Sequence, residues 1–279
     1  MLGAMLVQMS ERGPDSAGVA VYRNGHPPAN TKLTLHAAED GYDWDRVRSQ
    51  LAAEFKADFE TEVRASHAVL SSTAPLQQLR VWLAQNCPEL RIMSAGSSIE
   101  IYKEAGAPRD FVERFQLGDF AGSHALGHTR MATESAITTQ HSHPFSTGQD
   151  LCLVHNGSLS NHNRLREELQ RRGIEFQTDN DSEVAAGYLM WQLHQGASLK
   201  QALTRAISDL DGFYTFAVGT RDGFAVLRDP IACKPAVMAE NDDWVAIASE
   251  FRAIAQLPGV DQAKVWEPAP ATVYSWGKS

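Results

Sequence analysis

Apolar residues recur along the chain in two rhythms, one near four residues and one of two. Leu2, Met5, Leu6 and Met9 stand at helical spacing, which predicts a solvated amphipathic helix at the start. After the turn-rich RGPDSAG, residues 17–22 (AGVAVY) read as a strand stopped by Asn24-Gly25, and residues 32–36 as a weaker one. Residues 43–57 and 74–86 read as helices, the second with Leu76, Leu79, Val81 and Leu83 on a mostly buried face. Residues 98–102 form a β-branched run, and residues 108–116 fit a short helix with Pro108 near its start.

The pattern sharpens beyond residue 123. Residues 123–131 and 150–155 read as strands, each ending in a polar turn. Residues 161–172 make a helix with an Asn-rich cap and Gly173 at its end. Residues 181–194 and 198–210 are two more helices, the latter with Leu199, Leu203, Ile207 and Leu210 in one stripe. Short strands follow at 213–218, 224–227, 236–239 and 244–248, with turns at Asp222-Gly223 and 241–243. Helices followed by a strand meander predict an α+β fold with a mainly antiparallel sheet. No boundary divides the chain, so residues 1–279 are expected to form one domain.

Composition narrows the partners. The formal net charge of -9 disfavours nucleic acid, which requires a basic face. No run of 18 apolar residues suggests a membrane span, and the start lacks the marks of a signal peptide, so a cytoplasmic protein is expected. Cys87, Cys152 and Cys233 are odd in number and widely spaced, so each is expected to be a small buried hydrophobe. The histidines, His141-x-His143 included, lack a carboxylate at ligand spacing, and no metal is expected.

Four polar segments sit at predicted strand and helix ends: RGPDSAG at 12–18, GHTRMATES at 127–135, HNGSL at 155–159 and DNDSEV at 179–184. Arg130 offers a planar fork suited to a carboxylate, and Thr133 can add a hydroxyl to the same anion. Asp181 is either a helix N-cap or a partner for an ammonium. Together these describe a site for an α-amino acid. Asn156 and Gly157 supply a side-chain amide and a backbone N–H, a donor pair fit for an oxyanion, with a simple tight turn as the plain alternative.

In that order, the four segments resemble the motif series of class II glutamine amidotransferases. The resemblance implies a four-layer α/β/β/α sandwich of the N-terminal-nucleophile hydrolase type. It implies that Arg130 and Thr133 hold the glutamine carboxylate, Asp181 its ammonium, and Asn156 and Gly157 the oxyanion, while Arg12 braces the nucleophile loop. GHTRMATES, HSHPF at 141–145, NDSEVAAGY at 180–188 and residues 210–237 resemble the stand-alone subunits related to glutamate synthase. The amidotransferase subunit of N-methylglutamate synthase is the nearest named kind. Residues 228–235 (RDPIACKP) are similar to the RDPxGxRP turn of amidophosphoribosyltransferase, though its phosphoribosyl-diphosphate loop has no counterpart.

The family begins its mature chain with a Cys whose thiolate attacks the amide and whose α-amine acts as base. Residue 1 here is Met, and the first cysteine is Cys87. Three readings stand open: a first strand lies upstream of this numbering, the subunit is non-catalytic, or another nucleophile substitutes. The intact binding motifs favour the first. The resemblance thus implies a subunit that hydrolyses glutamine for a separate, FMN-dependent synthase subunit and needs no cofactor of its own. The alternative is an inactive amino-acid-binding or regulatory subunit of the same kind of complex.

Overall fold

The computed structural model describes residues 1–23, 31–39, 41–131 and 137–277. Thr133 and the expected turn at Asn24-Gly25 lie outside them. The chain opens with α1 (Leu2–Gln8), β1 (Ser16–Tyr22) and β2 (Thr31–His36). There follow α2 (Trp44–Phe55), β3 (Phe59–Arg64), β4 (His67–Ser72), α3 (Leu76–Asn86), β5 (Arg91–Gly96) and β6 (Ile99–Ala105). Then come α4 (Pro108–Arg114), β7 (His124–Arg130), β8 (Phe145–Gly148) and β9 (Leu151–Leu159). Helices α5 (His162–Arg171), α6 (Asp181–His194) and α7 (Leu199–Asp209) precede β10 (Gly212–Thr220) and β11 (Gly223–Arg228). The chain finishes with β12 (Val237–Glu240), β13 (Val245–Ala248), α8 (Phe251–Ile254), β14 (Lys264–Trp266) and β15 (Val273–Gly277).

Alternation along the strands builds the layers. In β1, Val19 and Val21 pack with Leu6, Phe111 and Phe115 under α1 and α4. Their neighbours Ala20 and Tyr22 point the other way, onto Cys152 and Val154 of β9 and Ala217 of β10. The far faces of β9 and β10, through Leu153, Tyr214 and Phe216, pack on α5, α6 and α7. The result is helices, a five-stranded antiparallel sheet (β15-β11-β10-β9-β8), a three-stranded one (β6-β1-β7), and helices again. This is the expected α/β/β/α sandwich, and burial of both sheet faces explains strands as continuously apolar as β1.

Two additions were not foreseen. A four-stranded sheet (β3-β4-β2-β5) carries α2 and α3 over its own core of Leu33, Leu35, Val47, Leu51, Leu79 and Leu83. A short sheet (β13-β12-β14) holds strands that had read as part of one meander. The meander is two hairpins in different sheets, because β11 takes β15 as its second neighbour. In α3, Val81 is 48% exposed, since its position two residues after Leu79 turns it from the face shared by Leu79 and Leu83. Cys233 is exposed as well, in the loop after β11, while Cys87 and Cys152 are buried.

A buried ion pair ties the four-stranded sheet to the sandwich. Lys32 Nζ on β2 lies 2.8 Å from Glu100 Oε1 on β6, with both side chains almost wholly enclosed. Glu100 also accepts from the Tyr102 hydroxyl at 2.9 Å and from Arg23 at 3.3 Å. Removing one partner of such a pair leaves a charge stranded away from water. Lys32→Met is expected to lower unfolding free energy in urea by about 3–5 kcal/mol. Lys32→Met with Glu100→Gln is expected to lose less, and an equal loss in both variants would show that packing, not charge, is the cause.

Candidate functional site

A cleft of about 2000 Å³ runs along β7 and reaches β13 on its other side. Strand β7 is an edge of its sheet and β13 an edge of another, so two strand edges with no strand partner among the described residues flank one opening. Helix α1 lies over it. Leu2 and Leu6 approach Gly127, and farther along the chain Gly13 approaches Thr129 and Arg130. The apolar stripe of α1 therefore faces the cleft and the body rather than bulk water, and Leu6 is 4% exposed. Arg130, Asn156, Gly157 and Asp181 all line the same cleft, and so does Arg12.

The Asn156-Gly157 pair is not a turn. Strand β9 continues through it to Leu159, beyond the polar end expected at His155. Among the described residues, only one flank of this stretch has a strand beside it. Strand β10 pairs along its length, whereas β8 begins at Phe145 opposite Leu153 and so leaves residues 155–159 with an open edge. Main-chain groups on that edge find side chains instead. The His155 N–H donates to His143 Nδ1 at 3.4 Å, and the His155 carbonyl accepts from His128 Nε2 at 3.1 Å. The Leu159 N–H donates to Asp181 Oδ2 at 2.9 Å.

Strand alternation then fixes Gly157. Its N–H shares the edge of His155 and Leu159, between two groups already satisfied. From the other side, Tyr214 opposite Gly157 has no main-chain group to spare. Its N–H donates to Asp229 Oδ1 at 3.0 Å and its carbonyl accepts from the Asp229 N–H at 3.0 Å. The Gly157 N–H therefore faces the cleft, where the Asn156 side chain also lies. Gly157 has φ +150, and an added Cβ would come within 2.0 Å of the Phe213 carbonyl, so only glycine fits here. Thr215, opposite Asn156, also lines the cleft, and its hydroxyl is buried without a partner among the described residues. Sequence reading passed over it because a lone strand threonine carries no motif.

Asp181 is not the N-cap of α6. That role falls to Asn180, whose side chain accepts from the Ser182 N–H at 2.8 Å. Asp181 is released to the cleft wall, where its side chain is 21% exposed. Arg130 ends β7 and is mostly enclosed. Burial lowers its pKa, while the nearby carboxylates of Asp15 and Asp181 oppose that shift. A guanidinium and a carboxylate thus stand within electrostatic reach of each other on the wall of the cleft that Asn156 and Gly157 also line. Arg12 pairs with Glu250 at 3.0 Å, which ties the end of α1 to the turn after β13. That is a bracing contact, and Glu250 had not been singled out in the sequence.

Three histidines underlie the site. His128 and His143 stack with ring centroids 4.1 Å apart, and Ser182 Oγ lies 2.9 Å from His155 Nδ1 and 3.3 Å from His143 Nε2. Lys103, fully enclosed, donates to the carbonyls of Gln140, Ser142 and Pro144 and so pins the loop that carries His143. His141 instead meets Asp179 at 3.0 Å. Among the described residues no group of three or more His, Cys, Asp or Glu is placed to hold a metal ion, and no helix is long and apolar enough to cross a membrane. Cys152 packs in the core, where burial pushes its thiol up to about 12.

Burial pulls His155 and His128 from 6.5 down to about 4, and His143 well below its usual value. His128 keeps part of its ring open to the cleft, so His155 and His143 carry more of this penalty. An unfolded chain takes up these protons first, so the rings' contribution to stability is complete above about pH 6.5 and is lost as pH falls through about 4. Urea midpoints are expected to drop steadily over that window. A flat profile would mean that the rings are charged in the folded protein.

Residues 128–256 match the sequence profile of a glutamine amidotransferase domain. The chain is 54% identical over 277 residues to the glutamine amidotransferase-like protein GlxB of Rhizobium meliloti, covering 99% of this chain and 91% of that protein. It is 31% identical over 281 residues to a putative glutamine amidotransferase of Methanothermobacter thermautotrophicus, covering 97% and 92%. Among solved structures, the allosteric regulatory enzyme of purine biosynthesis superposes with a TM-score of 0.62 at 21% identity, covering 99% of this chain and 44% of that one, which is a likeness of fold. The chain belongs to the class II glutamine amidotransferase family.

Proposed function

We propose that this chain is the subunit that binds glutamine and hydrolyses it to glutamate and ammonia for a separate synthase subunit. The observation that carries the reading is the Gly157 N–H, without a partner among the described residues, next to Asn156 on an open strand edge in the cleft that Arg130 and Asp181 also line. Arg130, with Thr133, grips the carboxylate of glutamine, and Asp181 holds its ammonium. The side-chain amide then reaches the two donors, which act as charge develops on its oxygen.

The nucleophile in this reading is a Cys that starts a strand seated between β7 and β13. Direction supports it. Leu2 and Leu6 of α1 meet Gly127, Met9 just after the helix accepts from the Thr129 hydroxyl at 3.1 Å, and Gly13 approaches Arg130, so the chain leaving Met1 advances along β7 toward Arg130, and a strand that fills the slot and leads into Met1 runs the opposite way. Its first residue then sits at the Arg130 end, beside Asn156 and Gly157. The free α-amine there, with a pKa of roughly 7.7–8.0, takes the thiol proton and passes it to the departing ammonia. Water then hydrolyses the thioester. Neither resolved alternative suits the role: Cys152 is sealed in the core, and Cys233 lies off the cleft wall.

The motifs shared with glutamate-synthase-related subunits support a partner that binds FMN and uses the ammonia, with N-methylglutamate synthase as the nearest kind. The hydrolytic step itself needs no cofactor from this chain.

Residues 1–279 alone are expected to release no ammonia from glutamine, and a form led by a Cys-initiated strand is expected to do so. Ammonia release by residues 1–279 that Cys152→Ala or Cys233→Ala abolished would revive a substitute nucleophile. A Cys-led form that binds glutamine without hydrolysing it would favour a regulatory subunit, and one that aminates an acceptor unaided would remove the need for a partner.

In the Cys-led form, Arg130→Ala and Asp181→Asn are expected mainly to raise KM. Asn156→Ala is expected to lower kcat by about 10²–10³ with a smaller effect on KM. Steady-state kinetics separate the two, and a kcat within a few-fold of the parent for Asn156→Ala would withdraw the oxyanion assignment.

A further inference from the structure

Asp181 and Gly157 serve opposite ends of the glutamine in the reading above, yet a continuous polar chain joins them. The His155 ring lies directly beneath Gly157: a Cβ added at Gly157 would stand 2.8 Å from His155 Nε2. On its other side, His155 Nδ1 meets Ser182 Oγ at 2.9 Å, and Ser182 Oγ lies 3.3 Å from Asp181 Oδ1.

The protons in this chain can be assigned by exclusion. His143 Nδ1 accepts from the His155 main chain, so neutral His143 carries its proton on Nε2 and donates to Ser182 Oγ. His155 Nε2 is buried and has no partner among the described residues. A bare lone pair there costs less than an orphaned N–H. His155 therefore carries its proton on Nδ1 and donates it to Ser182 Oγ. With two donors on its oxygen, the Ser182 hydroxyl turns its own proton to Asp181. Every proton then has one acceptor, and the chain runs from His155 through Ser182 to the carboxylate.

We propose that Ser182 is a positioning residue, whose hydroxyl locks the ring under Gly157 to the Asp181 carboxylate so that the groups for the ammonium and for the amide oxygen are held as one unit. This rests on the glutamine-hydrolysing reading. Without the hydroxyl, Asp181 keeps its bond from the Leu159 N–H and can still hold an ammonium, but the ring under Gly157 loses its tether. The loss should fall on the oxyanion end.

The test compares two ligands on the Cys-led protein. L-Glutamate reports the amino-acid head group alone. Glutamate γ-semialdehyde adds a hemithioacetal: the Cys sulfur bonds to the aldehyde carbon, and the thiol proton moves to the new oxygen, which lies at the oxyanion position. Ser182→Ala is expected to leave glutamate affinity within about threefold and to weaken semialdehyde binding and kcat by about tenfold, the scale of one lost hydrogen bond. Ser182→Thr, which keeps the hydroxyl, is expected to recover most of both. Equal weakening of both ligands by Ser182→Ala, no weakening of either, or failure of Ser182→Thr in a folded protein would overturn the proposal. Asp181→Asn separates the two levels: it should weaken both ligands, and if it weakens neither, the glutamine site itself is wrong. Thermal melts of each variant identify any that is merely unfolded.

Discussion

The constraint on which this structure turns is an unfinished strand edge. Strand β8 begins only at Phe145, opposite Leu153, so among the described residues β9 runs on for six residues with side chains alone on one flank. Buried main-chain groups cannot be left without partners, and an orphaned N–H is costly. Histidine resolves this at His155, because one ring can accept from an N–H while another donates to a carbonyl. Asp181 resolves it at Leu159. The N–H between them, on Gly157, is the one that faces the cleft, and its placement follows from the two that are satisfied.

Much of the surrounding architecture serves to hold that edge still. The His143 loop is fixed by Lys103, whose ammonium gathers three carbonyls and lies over the Phe145 ring at 4.6 Å. Burial pulls Lys103 down to about 7, and the charge of the Glu183 carboxylate opposes that shift. Asp150 anchors the turn before β9, taking the N–H groups of Ser97, Ser98 and Ile99 on its carboxylate. Burial raises its pKa, but these donors outweigh that and leave it below the ordinary carboxylate value. Asp229 fixes Tyr214 on the far side of β10 and shapes the following loop through the N–H groups of Ile231 and Ala232. These polar groups sit at strand ends, where a packed sheet can aim them.

Most helices of the sandwich were legible: α6 spans Asp181–His194, the bounds read from the sequence, and α7 carries the apolar stripe read there and is opened by a full capping box at Ser198 and Gln201. The residues that line the cleft were legible through motif order, which brought Arg130, Asn156, Gly157 and Asp181 to one place. What stayed hidden depended on pairing. No local pattern tells that β8 begins only opposite Leu153, so Asn156-Gly157 read equally well as a turn. For the same reason, Ser182 and His143 looked ordinary, and Asp181 could not be told from a cap until Asn180 was seen in that role. The strands of the four-stranded sheet were blurred by polar residues such as Lys32 and Thr34, which face another layer rather than water.

Residue-resolved amide hydrogen exchange of residues 1–279 in solution tests the open-edge account most directly. Asn156 and Ser158 face β10, while His155 and Leu159 donate to side chains, so all four amides should be protected. Gly157, in their midst, should exchange faster than every one of them. A Gly157 amide as slow as its neighbours would mean that its N–H is already committed within the fold, and the donor pair at the centre of this account would not exist.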